Sequence, residues 1–245
     1  MVRVMRVRQS KQRMKESMER KELSMSDITA LIMVRSGSVR CKNKNIREFA
    51  DTNLLENKIK TLKEVEGIHE IVVNSDCQNM LGIAIENGCR TVLRDKAYAT
   101  SETTPSDLYK HVAKTIDTDY VLSASVCYPM MSTETYQRLV NLHSESEGTS
   151  ESVVACHTIN HHLWINTPYG YEPLNYEPGN QPNSQELPEV VSICWGGIIT
   201  PKKTMLQGDL IGRKPMFVDI PCHEAMDIDT ELDFRISEVV YKGLQ

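Results

Sequence analysis

Three features of the chain predict an α/β fold on a doubly wound, mainly parallel sheet. Short, almost wholly apolar runs recur along it, stretches with helical spacing fall between them, and a polar, glycine-bearing loop follows the first run. Apolar runs of this kind suit strands buried on both faces, as a parallel sheet covered by helices requires. In such sheets ligands collect at the carboxyl ends of the strands.

The first strand is expected over 28–34, Ile-Thr-Ala-Leu-Ile-Met-Val. A helix follows over 54–65, where Leu55, Ile59, Leu62 and Val65 share a face. The second strand covers 68–74 and the second helix 78–86, stopped by Asn87-Gly88. Residues 90–93 give a third strand, 106–116 a helix behind Pro105, and 119–124 a fourth strand. After a strand at 152–159 come Pro168, Gly170, Pro173, Pro178, Gly179, Pro182 and Pro188, a stretch too broken for regular elements. Strands resume at 190–200 and 215–220, ahead of a C-terminal helix. The proline-rich excursion at about 150–190 reads as a lid or an oligomerisation arm.

Residues 27–245 then make one domain with ample material for a core. Residues 1–26 differ in character, carrying Arg3, Arg6, Arg8, Lys11, Arg13, Lys15, Arg20 and Lys21 among methionines and serines. They read as a basic, disordered or loosely helical extension outside the fold. No apolar segment follows, which excludes a secretory signal, and Glu16, Glu19 and Glu22 count against a transit peptide. With 40% hydrophobic and 25% charged residues the composition is that of a soluble globular protein. A net charge of -5 gives no reason to expect a nucleic-acid partner, and no stretch is apolar enough to enter a membrane. The seven cysteines are scattered and never paired as C-x-x-C, the pattern of a reducing compartment, cytosol or nucleus.

The most specific motif is Met226-Asp227-Ile228-Asp229-Thr230-Glu231-Leu232-Asp233-Phe234. In an extended segment Asp227 and Asp229 project to one side. Thr230 fits as the N-cap of the last helix, with Asp233 as its reciprocal partner. Two hard oxygen ligands beside a rigid helix start suit Mg²⁺, which takes one or two carboxylates and fills its shell with water and phosphate. Taken alone, the same acids would simply favour the positive end of the helix. The loop after the first strand, Arg35-Ser36-Gly37-Ser38-Val39-Arg40-Cys41-Lys42-Asn43-Lys44-Asn45, is neither a P-loop nor G-x-G-x-x-G. Ser36, Gly37 and Ser38 nevertheless permit a turn with exposed backbone N–H groups, and Arg35, Arg40, Lys42 and Lys44 supply positive charge for a triphosphate. A solvated basic loop would look the same.

With both motifs in view, the chain resembles the N-acylneuraminate cytidylyltransferases (CMP-sialic acid synthetases) and, more loosely, the CMP-Kdo synthetases. That family has an Arg-x-Gly-Ser loop leading to Lys-Asn; here it is Arg35-Ser36-Gly37-Ser38 leading to Lys44-Asn45. Its Val-Ser-Thr-Asp-like strand end is Val73-Asn74-Ser75-Asp76. Its Leu-Arg-Pro and Ser/Thr-Asp-Thr-x-x-Ser segments look like Leu93-Arg94-Asp95 and Ser101-Glu102-Thr103-Thr104-Pro105-Ser106. Its closing Asp-Ile-Asp-Thr-Glu-Leu-Asp is matched at every position from Asp227 to Asp233.

The resemblance implies a nucleotidyltransferase of Rossmann-like fold that activates a sialic-acid-like or other 2-keto sugar acid with CTP, giving a CMP-sugar and pyrophosphate. Arg35 and the Ser36-Gly37-Ser38 backbone would hold the triphosphate, with Lys44 and Asn45 near the α-phosphate. Arg94 and the turn with Thr103, Thr104 and Ser106 would read cytosine and ribose. Asp227 and Asp229 would bind Mg²⁺, and Lys44, Arg35 and Asp229 would carry catalysis. A homodimer is implied too, with Trp164, Tyr169, Tyr171 and Tyr176 as interface or lid packing.

The departures fall on the sugar side. The family's Gln-Pro-Thr-Ser-Pro-Leu-Arg is Ser125-Val126-Cys127-Tyr128-Pro129-Met130-Met131, so its glutamine becomes Ser125 and its arginine Met131. Its Arg-Gln-x-Leu-Pro lacks the arginine at Ser184, and its Asn-Gly-Ala-Ile-Tyr strand is Gly196-Gly197-Ile198-Ile199-Thr200. A different sugar acid or a lost activity would follow, because an arginine fork is the natural grip on a carboxylate. A non-catalytic nucleotide-binding homologue and a nucleotide-sugar glycosyltransferase are the alternatives. His157, His161 and His162 lack further ligands at metal spacing and read as packed or surface residues, with His162 a candidate for sugar contact.

Overall fold

The structure is a computed structural model that describes residues 28–38, 40–146 and 151–244. The basic extension at 1–26 lies outside the described residues. The strands are β1 (Ile28–Met33), β2 (Glu48–Phe49), β3 (Thr52–Asn53), β4 (Ile68–Ser75), β5 (Arg90–Leu93), β6 (Tyr120–Ser123), β7 (Ser152–Ile159), β8 (Trp164–Thr167), β9 (Gly170–Pro173), β10 (Val190–Pro201) and β11 (Pro215–Asp219). The helices are α1 (Leu54–Lys63), α2 (Gln78–Glu86), α3 (Pro105–Ala113), α4 (Thr133–Glu145), α5 (Lys202–Leu206) and α6 (Glu231–Leu244).

Seven strands form one sheet in the order β11-β7-β10-β6-β1-β4-β5. β1 runs parallel to β4 and β6, β4 to β5, and β7 to β11. β10 alone is antiparallel to both its neighbours, β6 and β7. The sheet is therefore mainly parallel, as the apolar runs predict.

Alternation along β1 builds two cores. Ile28, Ala30 and Ile32 join the larger one, under α1, α2, α4 and α6, while Leu31 joins the smaller one with Val112 and Ala113 of α3 and Met205 of α5. The predicted face of α1 is correct: Leu55, Ile59, Leu62 and, just past its end, Val65 are all buried. Local chemistry sets the helix starts. Asn53 caps α1 by accepting from Glu56 N, Thr104 caps α3 ahead of Pro105, and Ser132 caps α4 by accepting from Thr135 N.

Several expectations need correction. The helix after β5 begins at Pro105 and ends at Ala113, because Thr104 is its cap. Helix α4 was not anticipated, although its Tyr136, Leu139 and Val140 bury one face at helical spacing. The excursion is not wholly irregular: β8 and β9 pair as a short antiparallel hairpin around Gly170, whose φ of 118° suits glycine. The prolines flanking the hairpin hide its alternation. Asn175, 5% exposed, fastens its base by donating to His161 O and accepting from Leu163 N. Beyond that anchor Trp164, Ile165, Tyr169, Tyr171 and Leu174 are exposed. No helix among the described residues is long and apolar enough to cross a membrane.

Candidate functional site

The carboxyl ends of β1, β4, β5 and β6 open into a cavity of about 330 Å³. Arg35 follows β1, Arg94 follows β5, Thr103 precedes α3, Ser125 follows β6, and all four line it. Trp195, from β10, forms a further wall.

The loop after β1 turns at Gly37, whose φ of 76° is left-handed and which therefore suits glycine. It is fastened from both sides. Ser36 donates twice to Asp76, from its backbone N (2.8 Å) and its Oγ (2.5 Å). Burial pushes the Asp76 carboxyl up, but these two bonds and the nearby Arg94 charge outweigh it and hold it below the usual range. The Ser36 amide is thus already committed, which leaves Gly37 and the half-buried Ser38 as the backbone facing outward. Asn45, 5% exposed, donates from Nδ2 to Arg35 O and accepts at its own carbonyl from Leu55 N. It is a strut inside the loop, not a ligand-facing group, which corrects its expected role in nucleotide binding.

Arg94 is 3% exposed and clamped on Asn74, with Nε 2.6 Å from Oδ1 and a terminal nitrogen 3.0 Å from the carbonyl. Burial lowers it to about 10, so it stays a cation under the cavity floor at neutral pH. Arg35 donates to Ala99 O at 3.2 Å, and Thr103 to Ala97 O at 3.0 Å, which folds the segment after β5 against the β1 loop. Thr104 and Ser106 do not line the cavity. Thr104 spends its hydroxyl on Asp107 as the cap of α3, and Ser106 lies against Gly208. Of the predicted base-reading turn, Thr103 is the residue that brings a polar side chain to the space, with Pro105 beside it.

The acidic doublet meets the far end of the same loop. Arg40 pairs with Asp229 at 2.7 Å, and Lys44 Nζ lies 2.5 Å from Ile228 O and 4.0 Å from Asp229 Oδ1. Arg47 forks onto both Glu231 oxygens at 2.9 Å and covers the Phe234 ring at 3.8 Å. Ile228 is fully buried between the two aspartates, as an extended segment requires. The helix start is built as predicted: Asp233 Oδ2 accepts from Asp229 N, Thr230 N and Thr230 Oγ1, while Thr230 Oγ1 accepts from Asp233 N. Asp227 lies in the open, yet the protein around its carboxyl and the like charge of Asp229 raise it, with Lys44 and a Tyr128 hydroxyl at 3.3 Å only partly offsetting this.

Two crowded carboxylates, of which Asp229 already pairs with Arg40 and Lys44, offer hard oxygen ligands to a small divalent cation. Among the described residues no three His, Cys, Asp or Glu group together as a metal cage. Mg²⁺ draws most of its shell from water and phosphate and needs no such cage. Asp227 and Asp229 would hold it at the Arg40 and Lys44 end of the front loop, outside the lining of the cavity.

The histidines stay outside this region. His162 donates to Pro182 O at 3.0 Å and packs edge-on to Tyr176, and His157 meets Ile220 O at 3.3 Å. Met131 is 1% exposed, in the core against Gly196 and Gly197, where any side chain would collide with it. An arginine lost at this position therefore takes nothing from the cavity wall.

Trp195 and Tyr128 are the residues that sequence reasoning missed. The pairing of β10 with β7 breaks between Ile193 and Ile198, and the bulge leaves Trp195 44% exposed into the cavity. An aromatic beside two consecutive glycines was the available signal.

A cytidylyltransferase family model matches residues 29–163. The chain is 24% identical to the post-translational flagellin modification protein B of Campylobacter coli, over 89% of this chain and 96% of that protein. It is 22% identical to N-acylneuraminate cytidylyltransferase A of Danio rerio over 86% of its own length, which spans half of that relative. Its fold matches a CMP:2-keto-3-deoxy-manno-octonic acid synthetase solved with CTP, at a TM-score of 0.66, 11% identity, 90% coverage of this chain and 100% of that one.

Proposed function

The chain belongs to the cytidylyltransferase family, and from that premise we propose that it couples CMP to a sialic-acid-like or other 2-keto sugar acid. One observation carries the reading: the two ends of the chain converge, with Arg40 and Lys44 of the front loop on Asp229 and Ile228 of the closing motif. Cations and paired carboxylates meeting at strand ends are what a metal–triphosphate needs.

Strand order distributes the substrates. Arg94 and Thr103, beside β5, take the cytidine, and Arg35 and the Gly37 turn, after β1, take the triphosphate. Ser125 and Trp195, from β6 and β10, face the acceptor. The anomeric hydroxyl oxygen of the sugar acid attacks the α-phosphorus, its proton is lost, and the bond to the β-phosphate breaks to release pyrophosphate. Lys44 and Arg40 neutralise charge that grows on the phosphates. Asp227 and Asp229 would hold Mg²⁺, which would supply Lewis-acid charge stabilisation to the phosphates. The exposed Trp164, Tyr169 and Tyr171 of the hairpin pack against a second copy in a homodimer. Seven unpaired cysteines support a reducing compartment, the cytosol.

Pyrophosphate release from CTP, followed with a panel of nonulosonic acids and Kdo, tests the reading. Turnover with at least one acceptor is expected. Mg²⁺-dependent CTP binding without turnover on any of them would mark a non-catalytic homologue instead.

A further inference from the structure

Lys58 is a full cation-bearing side chain with no exposure, inside the larger core on α1. Nothing in the proposed chemistry uses it. Its Nζ donates to Tyr128 O at 2.9 Å and to Tyr136 Oη at 2.8 Å. The Tyr136 hydroxyl donates onward to Gly196 O at 2.7 Å. One amine thus ties together three segments that are far apart in sequence: the turn after β6, helix α4 and the β10 bulge.

Each tied segment bears on the site. Tyr128 reaches Asp227 with its hydroxyl at 3.3 Å. Gly196 adjoins Trp195, and its backbone lies so close to Tyr128 that a side chain there would fall 2.8 Å from the Tyr128 Cβ. The neighbourhood confirms that the amine is enclosed. Burial lowers it to about 7, and the groups facing it are Tyr136, Glu224 and the thiols of Cys194 and Cys127. Glu224 is itself 6% exposed, with one oxygen on Ser132 at 2.8 Å and the other unpartnered. A buried lysine costs a fold stability that an apolar residue of similar volume would not. Its presence calls for something it fixes in place.

We propose that Lys58 is a positioning residue for the acceptor side, setting from within the core where Asp227 and Trp195 stand. Its bond to the Tyr128 carbonyl fixes the turn whose phenol steadies Asp227. Its bond to Tyr136 fixes the bulge that presents Trp195. The inference rests on the proposed roles of Asp227 and Trp195.

The test compares the full-length wild type with Lys58→Met, Tyr136→Phe, Tyr128→Phe, the Lys58→Met/Tyr128→Phe double variant and Asp227→Asn. A parallel set carries Trp164→Phe, which leaves Trp195 as the sole tryptophan. Readouts are pyrophosphate release, thermal midpoint and Trp195 emission in the free protein. Lys58→Met should keep or raise the thermal midpoint while kcat falls about tenfold or more, with the KM for CTP within about twofold, since a misplacement of 1 Å can cost 10² in rate. The double variant should be no slower than Lys58→Met, because both changes cut one path. Trp195 emission should shift in Lys58→Met and in Tyr136→Phe, which removes a single oxygen and keeps the fold if the lysine variant loses it. Unchanged emission in Tyr136→Phe, or additive losses in the double variant, would overturn the proposal. Full activity in Asp227→Asn would instead sink the reading of the acid pair on which it rests. If no acceptor turns over, the emission of the free protein decides alone.

Discussion

The proposed nucleotide side and the proposed acceptor side of this cavity are built by different means. The nucleotide side is made of charged groups on short connections: Ser36 on Asp76, Arg94 on Asn74, and Arg40 on Asp229. Most of these groups sit in motifs that are read directly from the chain. The proposed acceptor side lacks the glutamine and arginine of the motif it resembles, and its geometry comes from a bulge, two glycines and a buried amine on α1. The contrast teaches where variation is cheap. A triphosphate presents the same charges whichever acceptor it is joined to, so one set of cations can serve any acceptor. An acceptor that differs can be met by reshaping backbone, with positions such as Met131 absorbed into the core.

The largest effect should come from cutting the point where the loop meets the doublet. Lys44→Ala and Asp229→Ala should each lower kcat by about 10² or more, from lost charge stabilisation on the phosphates. Steady-state pyrophosphate release measures this. The fold should survive, because the start of α6 is capped by Thr230 and Asp233 and not by Asp229. Near-normal turnover in either variant would remove that residue from the mechanism and erase the distinction between a charged side and a shaped one.

A smaller effect separates the two sides. Trp195→Ala should raise the acceptor KM by about fivefold, the scale of one aromatic contact of about 1 kcal/mol, and leave the KM for CTP unchanged. If the CTP constant moves instead, the wall belongs to the nucleotide and the division drawn here is misplaced.

How much of this was legible follows the same divide. The parallel sheet, the faces of α1 and β1, the acidic doublet and its capping box could be read because each is a local pattern of period or spacing. Asn45, Thr104 and Ser106 were carried over from the family motif as ligand-facing, yet motif order says nothing of which way a side chain turns. Asn45 closes the loop on itself, and Thr104 is taken by the backbone of its own helix. Trp195 and Lys58 escaped entirely. One depends on a break in strand pairing, marked locally only by an aromatic beside two glycines, and the other on contacts across 70 and 78 residues. A lysine on a helix reads as solvent-facing by default.

The smallest predicted effect concerns that lysine and pH. In the fold its amine sits at about 7, below the ordinary lysine value of 10.5, because burial disfavours the charge. Between those two values the unfolded chain carries the proton and the folded chain does not. Stability from this group therefore rises with pH across that window, at most by about 1.4 kcal/mol per pH unit, and its penalty is fully present below it. Lys58→Met lacks the penalty altogether. Relative to wild type, the variant should gain most at pH 6 to 7, and the advantage should shrink as pH approaches 10. Urea unfolding of both proteins across this range isolates the lysine, since titrating groups away from it such as Cys156, pushed up to about 11 by burial, are common to the two. A difference that stays flat with pH would mean the amine keeps its proton in the core. The acceptor side would then be braced by a permanent ion, and a charged scaffold would underlie both halves of the cavity.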